Sequence, residues 1–166
     1  DLLYWNGDGT NLPGRMAIEY LRRLCQKNQF ADGGFEACGA LLQLSDIAVP
    51  VCAVACETDH IAAWAQSYRG VQQMTGADRH FILAESGHVA GIINPPQRNK
   101  YGYYTHKSLA ESPEDWQSSA TYTAGSWWPA WKDWLMLQSG NTIGSRTPKS
   151  PKGLRLGNAP GQYVLK

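Results

Sequence analysis

Val51-Cys52-Ala53-Val54-Ala55-Cys56, followed by Glu57-Thr58-Asp59-His60, and His80-Phe81-Ile82-Leu83-Ala84-Glu85, followed by Ser86-Gly87-His88, are the two stretches that decide the fold. The first is apolar over strand length without polar alternation, the pattern of a parallel strand covered on both faces. The second is a shorter run of the same kind. Between them a helix of about a dozen residues is expected from Trp64, stopping at Thr75-Gly76 by the rule that glycine follows a helix end. Strand, loop, helix, strand, loop is the grammar of a βαβ unit. In such sheets chemistry gathers beyond the carboxyl ends of the strands, where Asp59 and His88 both lie.

Toward the N-terminus, Asn6-Gly7 and Asp8-Gly9 are turn pairs. Pro13 can open a helix reaching about Lys27, with Met16, Tyr20, Leu21 and Leu24 on an apolar face. The Gly-rich stretch from Phe30 to Gly39 leads into Leu41-Leu42-Gln43-Leu44, a possible short strand. Toward the C-terminus, Asn94 to Pro113 is polar and turn-rich, includes Tyr101, Tyr103 and Tyr104, and reads as a long surface excursion. Ser126 is placed to cap a helix running to about Gln138, on which Trp127, Trp131 and Trp134 share one face. That spacing favours a core position over an apolar ligand channel. The last 26 residues, Asn141 to Lys166, hold five Lys or Arg, no Asp or Glu, three Pro and four Gly, and read as an extended basic tail.

The 166 residues are 43% hydrophobic and 17% charged, enough for the core of one domain or part of a larger one. With 15 Lys plus Arg against 14 Asp plus Glu, the net charge of +1 implies no nucleic-acid partner. The longest apolar run, Ile47 to Cys56, is broken by Pro50 and falls short of the about 20 residues a membrane span needs, so no span and a soluble chain are expected. No secretion signal is visible, and the abrupt start at Asp1 suggests a segment of a longer chain. Cys25, Cys38, Cys52 and Cys56 lie in mostly apolar surroundings without a CxxC pair, and are expected to be reduced, buried thiols of an intracellular protein without a metal site.

Asp59 and His88, 29 residues apart, form the sharpest chemical pair. A carboxylate bonded to one imidazole nitrogen fixes the tautomer, and the other nitrogen can then take a proton from a nucleophile. In α/β-hydrolases the order along the chain is nucleophile, acid, histidine, and this pair fits the last two. No Ser or Cys has glycine both two residues before and two after it; Cys38 has Glu36 and Ala40 there. On spacing alone, ordinary loop polarity also accounts for the pair. His60 reads as structural, and neither His80 nor His106 has a role.

Five blocks, in order, resemble the C-terminal part of the poly(3-hydroxyalkanoate) synthase family: Tyr4-Trp5-Asn6-Gly7-Asp8-Gly9-Thr10-Asn11, Thr58-Asp59-His60-Ile61, Ser86-Gly87-His88-Val89-Ala90-Gly91, Asn94-Pro95-Pro96-Gln97-Arg98-Asn99-Lys100 and Gly125-Ser126-Trp127-Trp128-Pro129-Ala130-Trp131. The Asn-Pro-Pro block and Ala159-Pro160-Gly161-Gln162-Tyr163-Val164 look like the class I branch, which prefers short 3-hydroxyacyl units. Ala63 departs from the family, which commonly has Pro just before the Trp. The resemblance implies the C-terminal portion of an α/β-hydrolase-type fold with part of an inserted cap region: residues 1–44 in the cap, 45–140 in the core, and 141–166 in the tail. It implies Asp59 and His88 as the catalytic acid and base, with a nucleophilic cysteine upstream of Asp1 and with Asp59 either orienting His88 or helping to remove the proton of the attacking hydroxyl. The implied substrates are a 3-hydroxyacyl-coenzyme A and the growing polyester chain. Coenzyme A is then a leaving group, and no cofactor is needed. A cap-mediated homodimer, granule-associated proteins and a cytoplasmic location at polymer granules also follow from the resemblance. The segment alone is expected to be inactive and poorly soluble. A serine-dependent esterase or depolymerase, and a polymer-surface binding module without activity, are the alternatives.

Overall fold

The computed structural model describes residues 6–7 and 9–145. The chain divides into two compact units, Glu19–Gly140 and Asp1–Ile18 with Asn141–Lys166. The tail beyond residue 145, the Ala159–Val164 block and the start of the first block lie outside the described residues.

The larger unit carries the sheets. A hairpin of β1 (Phe35–Ala37) and β2 (Ala40–Leu42) precedes a four-stranded sheet of β3 (Val51–Cys56), β4 (Arg79–Ala84), β5 (Gly102–Thr105) and β6 (Thr121–Ala124), in that spatial order. β3 and β4 run parallel, with Val51 opposite Arg79 and Cys56 opposite Ala84; β5 and β6 add antiparallel. The parallel βαβ pair expected from the two apolar runs is therefore present, and β5 and β6 make the sheet a mixed one.

Alternation along the parallel strands separates two cores. Ala55, Phe81 and Leu83 face Tyr68 and Val71 of α2 (Trp64–Gln72) and Trp116 of α3 (Pro113–Ser119). Tyr68 and Trp116 each meet the Phe81 ring nearly edge to face, with centroids 5.1 and 5.2 Å away, the geometry that aligns a ring's positive rim with its neighbour's negative face. On the other face Cys56, Ile82 and Ala84 meet Trp127, which immediately precedes α4 (Trp128–Gln138). Covering both faces is what allows β3, and β4 from Phe81 onward, to be apolar without alternation.

Several expectations need correction. The stretch from Asn94 to Pro113 is no mere surface excursion: it contains β5, and its Pro113 opens α3, whose Trp116 is fully buried. Ser112 caps that helix by accepting the Asp115 N–H at 3.0 Å. β5 and β6 are four-residue Tyr and Thr strands, too short for a period to show. Helix α2 ends at Gln72, and Gly76 serves a different purpose from a helix stop, because a Cβ there would stand 2.5 Å from the Ser45 carbonyl oxygen. Cys25 and Cys38 are exposed rather than buried, and Cys38 takes φ 51 beside Gly39 at φ 78 in the two-residue hairpin turn.

The N-terminal helix forms as α-helix α1 (Gly14–Glu19) and a π-helical stretch, Tyr20–Gln26. Its apolar stripe is not core: Met16, Tyr20 and Leu21 are each more than half exposed. At the other end, position 127 is the N-cap of α4 and Ser126 instead accepts the Trp128 N–H.

Candidate active site

The two strands deliver their loops side by side because the parallel ladder continues past them. The Glu57 N–H donates to the Ala84 carbonyl at 2.8 Å and the Thr58 N–H to the Ser86 carbonyl at 3.1 Å. Ser86 holds φ 74, an uncommon conformation for a residue with a side chain, and turns the chain sharply into Gly87-His88.

Asp59 and His88 meet across this gap, with His88 Nδ1 2.8 Å from Asp59 Oδ2. The other carboxylate oxygen, Oδ1, accepts the N–H groups of Ile61 at 2.8 Å and Ala62 at 2.9 Å. The Ala62 N–H, then His88 and the Ile61 N–H, hold the carboxyl down at about 2. An ionised carboxylate only accepts, so Nδ1 carries the hydrogen and a neutral ring presents Nε2 as its basic nitrogen. The Asp59 side chain is 9% exposed and that of His88 46%, so the acid is fixed and the imidazole stays accessible.

The turn after His88 is tightly built. The Gly91 N–H donates to the Gly87 carbonyl at 2.9 Å and the Ile93 N–H to the Val89 carbonyl at 2.8 Å. Trp127 and Trp128 donate their indole N–H groups to the Gly91 and Ile92 carbonyls, both at 2.9 Å. Farther along, the buried Asn94 closes the Asn-Pro-Pro loop by donating to the Lys100 carbonyl.

The remaining histidines stand apart from the pair. His60 is exposed. His80 pairs with Asp78 at 3.3 Å, and His106 bonds the Ser108 carbonyl in its own loop. Burial pushes the Cys52 thiol up to about 11; Cys56 is also raised, by burial and then by the Asp59 charge. Neither is poised as a thiolate. Among the described residues no three His, Cys, Asp or Glu cluster as metal ligands, and no helix is long and apolar enough to cross a membrane.

The tryptophan face divides between the two readings given for it. Trp127 is core and also lines an apolar cleft of about 630 Å³, which it shares with Ile92, Ile93, Trp128, Lys132 and the 39% exposed Trp131. The indole bonds to the His88 turn went unread, as did the N–H groups that hold Asp59. The former join residues 36 positions apart, which no local pattern announces. The latter had a signal, since an Asp opening a loop commonly accepts N–H groups two and three residues on.

A mixed α/β sheet bearing a carboxylate and an imidazole in contact at the ends of adjacent parallel strands defines the class. No protein-family model matches the chain. It is 39% identical over 166 residues to the poly(3-hydroxyalkanoate) polymerase subunit PhaC of Cupriavidus necator, covering 99% of this chain and 28% of that protein. It is 36% identical over 164 residues to the subunit PhaC of Rhizobium meliloti, and 37% over 169 residues to poly(3-hydroxyalkanoate) polymerase 2 of Ectopseudomonas oleovorans, covering 99% of this chain in each case and 26% and 30% of those proteins. The chain is homologous along nearly its whole length to a stretch of the poly(3-hydroxyalkanoate) polymerases, and it spans between a quarter and a third of the length of these relatives.

Proposed function

We propose that this chain is the C-terminal part of the α/β-hydrolase-type catalytic domain of a poly(3-hydroxyalkanoate) polymerase, and that it supplies the acid and base of acyl transfer. The observation that carries the reading is the 2.8 Å contact between Asp59 and His88 at neighbouring strand ends, in a chain related to these polymerases throughout. The nucleophile is a cysteine from outside this chain. Cys52 and Cys56 are the wrong thiols for the task, being protonated and enclosed in or beside the sheet.

His88 Nε2 takes the cysteine proton, and the thiolate attacks the thioester carbonyl of a short 3-hydroxyacyl-coenzyme A. The carbon–sulfur bond to coenzyme A breaks, and the imidazolium returns the proton to the departing thiolate. The hydroxyl of another monomer or of the growing chain then loses its proton to His88 and attacks the acyl-enzyme. A carbon–oxygen ester bond forms, the bond to cysteine breaks, and the cysteine sulfur regains the proton. Asp59 stabilises the imidazolium in both halves. Action at the surface of polymer granules and a homodimer built through the cap belong to the same reading.

The isolated chain is inactive and poorly soluble, since β3 is an edge strand among the described residues and Leu135, Met136 and Leu137 are exposed. The test is coenzyme A release from 3-hydroxybutyryl-coenzyme A by the whole polymerase. His88→Ala abolishes release and the isolated chain shows none. Undiminished release by His88→Ala overturns the reading, and a serine in place of the upstream cysteine makes the protein a hydrolase instead.

A further inference from the structure

Among the described residues, His88 is bound at its ring by one hydrogen bond, to Asp59, and is otherwise aimed by its own backbone. That backbone belongs to the turn 87–93. Its start is tied to β3 through the Thr58 N–H, and its interior by the Gly87–Gly91 and Val89–Ile93 bonds. Its far end is held from outside the turn by two side chains that follow each other in sequence.

Trp127 Nε1 and Trp128 Nε1 grip consecutive carbonyls, of Gly91 and Ile92, at 2.9 Å each. The two indoles pack against each other edge to face, with centroids 6.3 Å apart and planes at 73°. Trp127 is 9% exposed and packed on Cys56, Ile82 and Ala84, which fixes the donor to the sheet itself. Two donors on consecutive carbonyls, one of them anchored in the core, hold the turn at two points rather than one and so restrict its rotation as well as its translation.

Building on the acyl-transfer reading above, we infer that Trp127 and Trp128 are positioning residues for His88: their indole N–H groups clamp the Gly91 and Ile92 carbonyls and so set the angle at which the imidazole meets Asp59 and the nucleophile. The rings fill space, but the N–H groups set the geometry. Misplacing a base by about 1 Å can cost up to about 100-fold in rate while leaving substrate binding alone.

The experiment replaces each indole by a ring without the donor in the whole polymerase. Trp127→Phe and Trp128→Phe lower kcat about ten- to a hundredfold with KM within about twofold. They also shift or broaden the downfield proton resonance of the His88 Nδ1–H bond. Trp116→Phe is the control for stability alone: it lies in the opposite core and its Nε1 has no hydrogen-bond partner among the described residues, so it lowers the melting temperature and leaves both readouts unchanged. If Trp127→Phe does not fold, Trp128→Phe, at a half-buried position, decides the matter. Wild-type kcat and an unmoved resonance in a folded Trp128→Phe overturn the inference. Full activity of His88→Ala would instead remove the acyl-transfer reading, while the resonance would still report whether the clamp orients the ring.

Discussion

Gly91 lies against Cys56 so closely that a Cβ at position 91 would stand 2.5 Å from Cys56 Sγ and 2.7 Å from the Glu85 carbonyl oxygen. Position 91 therefore admits only glycine, for close approach rather than unusual backbone angles. The last residue of β3 thus sets how far the turn carrying His88 can sink toward the sheet.

Gly91→Ala should lift that turn off Cys56. Overpacking of this kind costs about 1–3 kcal/mol, and the Gly91 carbonyl would move away from Trp127 Nε1 as well. The expected outcome for the whole polymerase is a lower melting temperature together with a fall in kcat larger than Trp116→Phe produces. Wild-type melting and wild-type turnover in Gly91→Ala would contradict the packing described.

Asp59→Asn tests the electrostatic half of the pair. The amide can donate where the carboxylate only accepts, so it permits the wrong imidazole tautomer, and kcat should fall about 10⁴-fold with little change in fold. The pH dependence has a definite sign. Asp59 titrates at about 2 instead of 3.8, so its contribution to stability is complete above the ordinary carboxyl range and is lost progressively as pH falls from there through 2. Acid denaturation of wild type and Asp59→Asn, followed by circular dichroism, should therefore differ by a constant amount above about pH 5 and converge below it. A gap that is undiminished at pH 2 would rule out the depressed carboxyl as its source.

What the sequence made legible, and what it hid, follows from the range of each interaction. Val51–Cys56 and Phe81–Ala84 announced themselves because the part of a strand covered on both faces is apolar without alternation, a local property of four to six residues. Asp59 and His88 followed from those strands, since each sits just past a strand end. Tyr103 and Tyr104 gave no such signal, because β5 is four residues long and its register depends on Ala84 and Leu83 across the sheet. Trp116 was equally silent: its helix covers two turns, and its burial depends on Tyr68 and Phe81, far away in the chain. The stripe of Met16, Tyr20 and Leu21 was legible as a helix face, yet pattern alone cannot say whether a face is covered, and here it is exposed.

Cys52 and Cys56 should behave as packing groups. With the Cys52 thiol pushed up to about 11 and Cys56 1% exposed, neither should react with iodoacetamide at about pH 8 until the protein unfolds. Cys52→Ala should leave coenzyme A release within about twofold of wild type, at a modest loss of stability. Rapid native-state alkylation of either thiol, or a hundredfold loss of activity in Cys52→Ala, would return these cysteines to the chemistry.

Trp116 is where the core facing α2 and α3 is most vulnerable. Its ring is fully buried and touches Tyr68 and Phe81, with centroids 5.6 and 5.2 Å away. Truncation to Ala removes a large buried surface and leaves a cavity that two rigid aromatic neighbours cannot fill, which costs about 3–5 kcal/mol. Phe at the same position keeps most of the contact area and forfeits no hydrogen bond, since Nε1 has no partner among the described residues. Urea denaturation should therefore rank wild type above Trp116→Phe and Trp116→Ala far below both. An alanine variant as stable as the phenylalanine one would mean that this face of the sheet is not packed as described.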